Sequence, residues 1–317
     1  LPSASKKRYK RSKNSKSKTS EPTPSQEMKV PKQVHTVPAE VKAAEFNVEE
    51  AQDVVFKPNA GPQTSFLSSS EREVLYGGAA GGGKSYAMLA DPLHGLNDPN
   101  FSGLLVRHTT EELRELIQKS QELYPKAIPG IKWSERKSQW TSPRGGRLWM
   151  SYLDKDTDVN RYQGQAFNWI GFDELTQWGT PYAWNYMRSR LRSSSKELGL
   201  YMRGTTNPGG AGHSWVKKMF IDPGPAGKPF WATDIESGET ITYPKGHSKE
   251  GSPLFKRRFI PASLFDNPYL ADSGDYEAML LSLPEHQRKQ LLEGNWDINE
   301  GAAFPEFDRN KHVVDPF

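Results

Sequence analysis

Val74-Leu75-Tyr76-Gly77-Gly78-Ala79-Ala80-Gly81-Gly82-Gly83-Lys84-Ser85 is the stretch on which the fold turns. Three apolar residues read as a buried strand, which runs into a complete G-x-x-x-x-G-K-S and then into a helical pattern. The spacing has a chemical reason. Glycines let successive backbone N–H groups curl around phosphate oxygens, a lysine neutralises the β and γ oxygens, and a hydroxyl at a helix start ligates Mg²⁺. Gly78, Ala79, Ala80, Gly81, Gly82, Gly83, Lys84 and Ser85 are therefore the candidate cradle for a nucleotide triphosphate such as ATP, with Ser85 as a candidate Mg²⁺ ligand.

Outward from this loop, short apolar runs alternate with helical patterns. Gly103 to Arg107, Trp169 to Phe172, Leu200 to Thr205 and Arg258 to Ile260 read as strands. Helices are expected near Lys84, at Thr110 behind a Thr109–Glu112 capping box, and at Pro181 behind an N-cap Thr180. Such alternation predicts an α/β fold, a mostly parallel sheet flanked by helices. Two stretches interrupt it, Trp133 to Tyr152 around Pro143-Arg144-Gly145-Gly146 and Phe230 to Tyr243 around Ser237-Gly238, and both read as hairpins decorating the sheet surface. After Asn267-Pro268 the pattern becomes helical, from Asp275 to Leu283 and from Pro284 to Leu292, stopping at Gly294. The tryptophans at 133, 140, 149, 169, 178 and 184 read as core residues.

Trp169-Ile170-Gly171-Phe172-Asp173-Glu174 ends a buried-strand pattern in two carboxylates. In a chain with a phosphate loop, Asp173 is the candidate holder of the Mg²⁺ shell, and Glu174 the candidate that polarises an attacking water. Thr205, Thr206 and Asn207 end another strand, where hydroxyl and amide groups can sense the γ-phosphate; a plain strand-ending turn at Asn207-Pro208 is the alternative. Gln63, in Gly61-Pro62-Gln63-Thr64-Ser65-Phe66, can read an adenine edge with an aromatic nearby. Arg161 lies in a polar loop from which a guanidinium could reach a neighbour's nucleotide, or simply be solvated. The clusters Arg188-Arg190-Arg192, Lys217-Lys218 and Lys256-Arg257-Arg258 are weaker candidates for phosphate contact.

The composition of the 317 residues bounds the rest. With no cysteine, disulfides, thiolate zinc sites and iron–sulfur ligation are excluded together. No apolar run approaches the length of a membrane span, and no signal-peptide core is visible near residue 1, so no membrane partner is expected. Residues 1–20 carry eight basic groups and no acidic one, so of the net charge of +4 about −4 remains for residues 21–317. The basic character belongs to a tail. Residues 1–44 are expected to be a disordered basic tail; beginning at Leu, they read as trimmed. Residues 45–265 are expected to form the core and 266–300 a small helical subdomain, with 301–317 starting a further connection.

Tyr76 to Ser85, Gly171 to Glu174 and Gly204-Thr205-Thr206-Asn207-Pro208, taken together, resemble the ATPase domain of the large terminase subunit of tailed bacteriophages. Leu291-Leu292-Glu293-Gly294-Asn295-Trp296, with Gly301 and Phe304-Pro305-Glu306-Phe307, resembles that family's passage from ATPase to nuclease. The resemblance implies a P-loop ATPase of the additional-strand, catalytic-glutamate type. Its Walker A residues are Lys84 and Ser85, its Walker B pair Asp173 and Glu174, its coupling motif Thr205 to Asn207, and its adenine motif Gln63. Arg161 matches as a finger acting across subunits, since Ala79 and Ala80 stand where some members carry a basic residue. It further implies Mg·ATP as cofactor, double-stranded DNA, a portal protein and a small terminase subunit as partners, and a homo-oligomeric ring, typically a pentamer. The expected setting is the host cytoplasm, docked on a procapsid portal. Because the chain stops at Phe317, it is expected to hydrolyse ATP and not to cut DNA. A helicase, a plasmid-transfer motor or a non-hydrolysing assembly protein that binds nucleotide are the alternatives.

Overall fold

The computed structural model describes residues 54–298. The expected basic tail and the connection after residue 298 lie outside these residues. Elements follow in the order α1 (Pro62–Leu67), β1 (Glu73–Gly78), α2 (Lys84–Ala90), α3 (Leu93–Leu96), β2 (Ser102–Arg107), α4 (Thr110–Ala127), β3 (Lys132–Ser134), β4 (Gln139–Thr141) and β5 (Arg147–Tyr152). Then come β6 (Trp169–Phe172), α5 (Tyr182–Arg188), β7 (Tyr201–Thr206), α6 (His213–Val216), β8 (Pro229–Trp231), β9 (Lys256–Ala262), α7 (Pro268–Ala271), α8 (Asp275–Leu281) and α9 (Glu285–Leu291). The described residues build a nine-stranded sheet in the order β3-β4-β5-β2-β6-β7-β1-β9-β8. Its six central strands, β5 to β9 in that order, run parallel.

β7 lies between β1, which feeds the glycine loop, and β6, which ends in the two carboxylates. This interposed strand is the additional strand expected from the resemblance. Burial explains the sequence pattern: every residue of β1 and of β6 is buried, as an interior strand covered on both faces requires. On one face pack Phe172, Trp178, Trp184 and Phe220; on the other α4 presents Leu113, Leu116, Leu123 and Tyr124. Trp140, Trp169, Trp178 and Trp184 are buried, and Trp133 and Trp149 pack partly buried against the core. The Thr109–Glu112 capping box starts α4 as predicted. At α5 the expectation is off by one residue: the helix begins at Tyr182 with Pro181 as N-cap, and the Thr180 hydroxyl accepts from the Tyr182 N–H at 3.3 Å. Among the described residues no helix is long and apolar enough to cross a membrane.

The first hairpin is part of the sheet and not a decoration on it. β4 and β5 pair antiparallel across the Pro143–Gly146 turn, but β5 then pairs parallel with β2 over six residues, Ser102 opposite Arg147 through Arg107 opposite Tyr152. The second hairpin turns at Asp234–Glu239, with Thr233 bridged to Thr240, and hangs from β8 at the far edge.

Two of the basic clusters belong to this architecture. Glu73, fully buried at the start of β1, is opposite Arg257 of β9, whose Nε donates to Oε2 at 2.7 Å. Arg188, at the end of α5, donates to Oε1 of the same carboxylate. Arg257 also donates to the Thr233 carbonyl at 2.8 Å, so one carboxylate joins two strands, a helix and the second hairpin. Arg188 and Arg257 are thereby committed to an internal ion pair and are not available to phosphate. Burial by itself would push the Glu73 carboxyl up, but the charges and hydrogen bonds of the two guanidiniums bring it below its ordinary value. The native state therefore binds this proton less readily than the unfolded chain. Its stabilisation is complete above the ordinary carboxylate range and is lost as pH falls through the depressed native value. Glu73→Ala, which strands a buried guanidinium, is expected to cost about 3–5 kcal/mol in urea unfolding at neutral pH and to flatten the acid limb of stability against pH.

Candidate functional site

The glycine loop closes the end of β1 by using conformations that side chains resist. Gly78, Gly81 and Gly83 have φ of +136°, +78° and +77°. A Cβ on Gly78 would sit 2.5 Å from the Ala262 carbonyl oxygen, so the loop also demands close approach to β9. Ala79 donates its N–H to the Ala262 carbonyl at 2.8 Å, and Ala80 to the Leu291 carbonyl at 2.6 Å. The N–H groups of Gly81, Gly82 and Gly83 have no backbone or side-chain acceptor among the described residues. This run of free donors, continued by the start of α2, has the geometry that an anion cradle needs. Lys84 is buried and donates from Nζ to the Ala79 carbonyl at 2.5 Å. Burial lowers its pKa, opposed by the charges of Glu174 and Asp173.

Asp173 follows β6 directly and is fully buried. Arg107, the last residue of β2, donates from Nη1 to Oδ2 at 2.8 Å, and the Thr205 hydroxyl of β7 donates to Oδ1. Glu174, next in the chain, takes φ +59° and ψ +56°, a left-handed conformation rare for a residue with a Cβ. The turn breaks the strand direction at Glu174, whose carboxylate is close enough to Lys84 for the two charges to act on each other. Burial, then the charge of Asp173, raises the Glu174 pKa, against the pull of Lys84, Arg107 and the Asn207 N–H. A carboxylate held in this way has a raised affinity for a proton, as a general base needs.

The predicted residues Thr205, Thr206 and Asn207 are at this same edge. Thr206 Oγ1 accepts from the Thr176 N–H at 3.2 Å and lies 2.7 Å from the Thr176 hydroxyl, welding the end of β7 to the turn after Glu174. The side-chain oxygen of Asn207 and Nε of Arg107 are buried with no partner among the described residues. Unpaired polar atoms beside two carboxylates and a cradle of free N–H groups suit a polar ligand with its own water shell, and the donor set fits a triphosphate with Mg²⁺. Ser85 and Asp173 are the residues that would hold the cation. Among the described residues there is no cluster of three or more His, Asp or Glu side chains that could hold a metal alone.

Gln63 is beside the cradle but already engaged. Its Oε1 accepts from the Asn59 N–H at 2.6 Å and its Nε2 donates to the Gly83 carbonyl at 3.0 Å. Phe66, the aromatic near it in sequence, is buried against Tyr76 and not open to a base. Asn267 completes an amide cluster: its Nδ2 donates to the Gly81 carbonyl at 2.7 Å and its Oδ1 accepts from Asn59 Nδ2 at 3.4 Å. Two glycine carbonyls of the loop are thus held from outside by amides. Arg161 stands apart. It lies in a 3-10 turn, Asp156–Tyr162, with Nε donating to the Asp158 carbonyl and its guanidinium 5.5 Å from the Tyr152 ring. None of its contacts is with the loop or the carboxylates.

The C-terminal segment touches both halves of the site. Gly294 has φ +65°, and a Cβ there would lie 2.7 Å from the Ala79 nitrogen. Trp296 stacks on His213, whose Nε2–H donates to the Trp296 carbonyl at 3.0 Å while Nδ1 accepts from the Gly209 N–H at 2.8 Å. Burial lowers the His213 pKa, which suits the neutral ring this pattern requires. Arg107, Asn267 and His213 escaped sequence reading. Arg107 alone had a local signal, a cation closing an apolar strand.

The family model for the terminase large subunit, T4likevirus-type, N-terminal part, matches residues 75–311. No curated protein matches. The fold is similar to the large terminase of a thermophilic bacteriophage. Against one crystal form of that protein the TM-score is 0.55 at 15% identity, covering 81% of this chain and 58% of that one. Against the same terminase in complex with ADP it is 0.53 at 16% identity, covering 80% and 57%. The chain thus spans little more than half the length of this terminase. With the family model matched over most of its length and a strand inserted between the glycine-loop strand and the carboxylate strand, the chain belongs to the terminase large subunits, as their N-terminal, P-loop part.

Proposed function

We propose that this chain is the ATP-hydrolysing motor part of a terminase large subunit, driving double-stranded DNA through a portal into a procapsid in the host cytoplasm. One observation carries the reading. A left-handed turn at Glu174 places a carboxylate, its pKa raised by burial, next to a fully buried Asp173 and within reach of the charge of Lys84 in the glycine loop. ADP bound to the thermophilic phage's large terminase supports a nucleotide as the ligand.

In this reading the N–H groups of Gly81 to Gly83 bind phosphate oxygens, and Lys84 exchanges the Ala79 carbonyl for the β and γ oxygens. Glu174 accepts the proton of the water that attacks the γ-phosphorus, the bond to the bridging oxygen breaks, and ADP leaves with inorganic phosphate. Ser85 and Asp173 would hold Mg²⁺, which when bound would supply positive charge against the phosphate oxygens. Arg107 and Thr205 hold Asp173 in place. Thr206 and Asn207 register the departure of the γ-phosphate through the turn at Thr176. Gln63 and Asn267 brace the loop by holding the Gly83 and Gly81 carbonyls, and Gln63 is the residue that would read the adenine. Subunits form a ring, a pentamer by family analogy, in which Arg161 serves a neighbour's nucleotide; a small terminase subunit and the portal are further partners. DNA cleavage is not assigned to the described residues.

Glu174→Gln is expected to lower ATP turnover by about 10²–10⁴ fold while ATP still binds. Turnover left near the wild-type level would point to nucleotide as structural glue. Asn267→Ala removes one donor to the loop and should raise the ATP Kd by up to about tenfold, on the order of 1 kcal/mol, with a smaller effect on kcat, measured by nucleotide titration and steady-state kinetics. Lys84→Ala and Arg161→Ala subunits, each inactive in an assembled ring, should regain part of the ATPase rate when mixed, because a mixed interface can pair an intact loop with an intact arginine. Mixtures as inactive as the parents would remove Arg161 from the trans role.

A further inference from the structure

Two surfaces at opposite flanks of the sheet have complementary chemistry and no partner among the described residues. The first is the stretch from Leu264 to Leu283, comprising α7, α8 and their flanks. It contains four acidic residues, Asp266, Asp272, Asp275 and Glu277, and no Lys, Arg or His. It also exposes Phe265, Tyr269, Met279 and Leu281 at 63%, 87%, 67% and 50%, a concentration of bare large apolar groups not repeated elsewhere among the described residues. Its inner side covers the glycine loop: a Cβ on Gly81 would meet Leu264 at 2.8 Å and Tyr276 at 2.9 Å. The second surface is a groove of about 460 Å³ whose lining includes Arg114, Arg136, Lys137, Trp149, Tyr152 and Tyr162, three cations against the single carboxylate of Glu135. These three cations are exposed and make no ion pair among the described residues. Tyr152, on the groove wall, is the ring on which Arg161 rests.

We propose that the groove is the docking site for the α7–α8 surface of a second copy of this chain. The acidic, apolar patch follows β9 and the groove adjoins β5, with β2, β6, β7 and β1 between those strands. One chain therefore cannot join its own two surfaces. Joining them between chains is heterologous, head to tail, and closes rings when the rotation permits. Apolar side chains enter between Trp149 and Tyr152, while Asp272, Asp275 and Glu277 meet Arg114, Arg136 and Lys137, giving orientation as well as attraction. The same docking carries Arg161 towards the neighbour's glycine loop, because the patch lies directly over that loop. This inference rests on the ring assembly proposed above and supplies its contact residues.

The absence of cysteine from the chain makes the test direct. Met279→Cys and Lys137→Cys in one chain, oxidised mildly with ATP and the portal protein present, should give a ladder of disulfide-linked multimers, and neither single substitution should. Asp272→Lys with Asp275→Lys should reduce the ladder at least about tenfold, and adding Arg114→Glu with Arg136→Glu should restore most of it. Multimers that sediment normally but neither cross-link nor respond to charge reversal would overturn this contact and leave the ring standing. A chain that stays monomeric throughout removes both. A ladder abolished by duplex DNA, with DNA affinity lowered by Arg136→Glu alone, would make the groove a DNA site instead.

Discussion

Asp173 has no access to solvent, and its two oxygens are held by Arg107 from β2 and Thr205 from β7. A carboxylate in that position is tolerable only while both partners stay, since an unpaired buried charge costs several kcal/mol. Three neighbouring strands, β2, β6 and β7, are therefore fixed in relative height at the strand ends that carry the candidate site. Glu174 inherits its place from this clamp. With Asp173 pinned, the left-handed turn one residue later sets the direction of the second carboxylate, and Thr176, bonded to Thr206, fixes where the turn goes next. A Glu73 carboxylate performs a similar service at the opposite end of β1, where it joins β9 and α5. Buried carboxylates thus tie β2, β6 and β7 at one end of the sheet and β1 and β9 at the other, with apolar packing between.

The site was legible in sequence where its geometry is local. A glycine loop, a strand ending in Asp-Glu and a strand ending in Thr-Thr-Asn each carry their chemistry within a few residues, and parallel strands buried on both faces read as unbroken apolar runs. What depended on contacts distant in the chain was not legible. Arg107 finds Asp173 across 66 residues and Asn267 finds Gly81 across 186, and neither spacing leaves a trace in local periodicity. The β5 strand illustrates the same limit. Its turn residues announce a hairpin to β4, but nothing in Arg147 to Tyr152 announces that the other edge pairs with β2. Arg188 and Arg257 looked like surface charge because their counter-ion, Glu73, is far from both in sequence.

The segment from Leu291 to Trp296 links the two halves of the site. Its first residue accepts the Ala80 N–H, its glycine fits against Ala79 where no side chain could, and its tryptophan is bonded to His213, which in turn holds Gly209 beyond the end of β7. The loop that would bind phosphate and the strand end that would sense it are therefore joined through a single stretch of six residues. Each hydrogen bond along this route contributes about 0.5–1.5 kcal/mol net, so a few bonds exchanged with a ligand are comparable to the coupling energies found between distant sites. The reciprocity of linkage then applies: whatever the segment does to the loop, a change at the loop does to the segment, by the same free energy. Because the chain continues from Trp296 into the residues after 298, a change at Lys84 and Glu174 that reaches this segment through its hydrogen bonds and packing is passed directly to the polypeptide that follows.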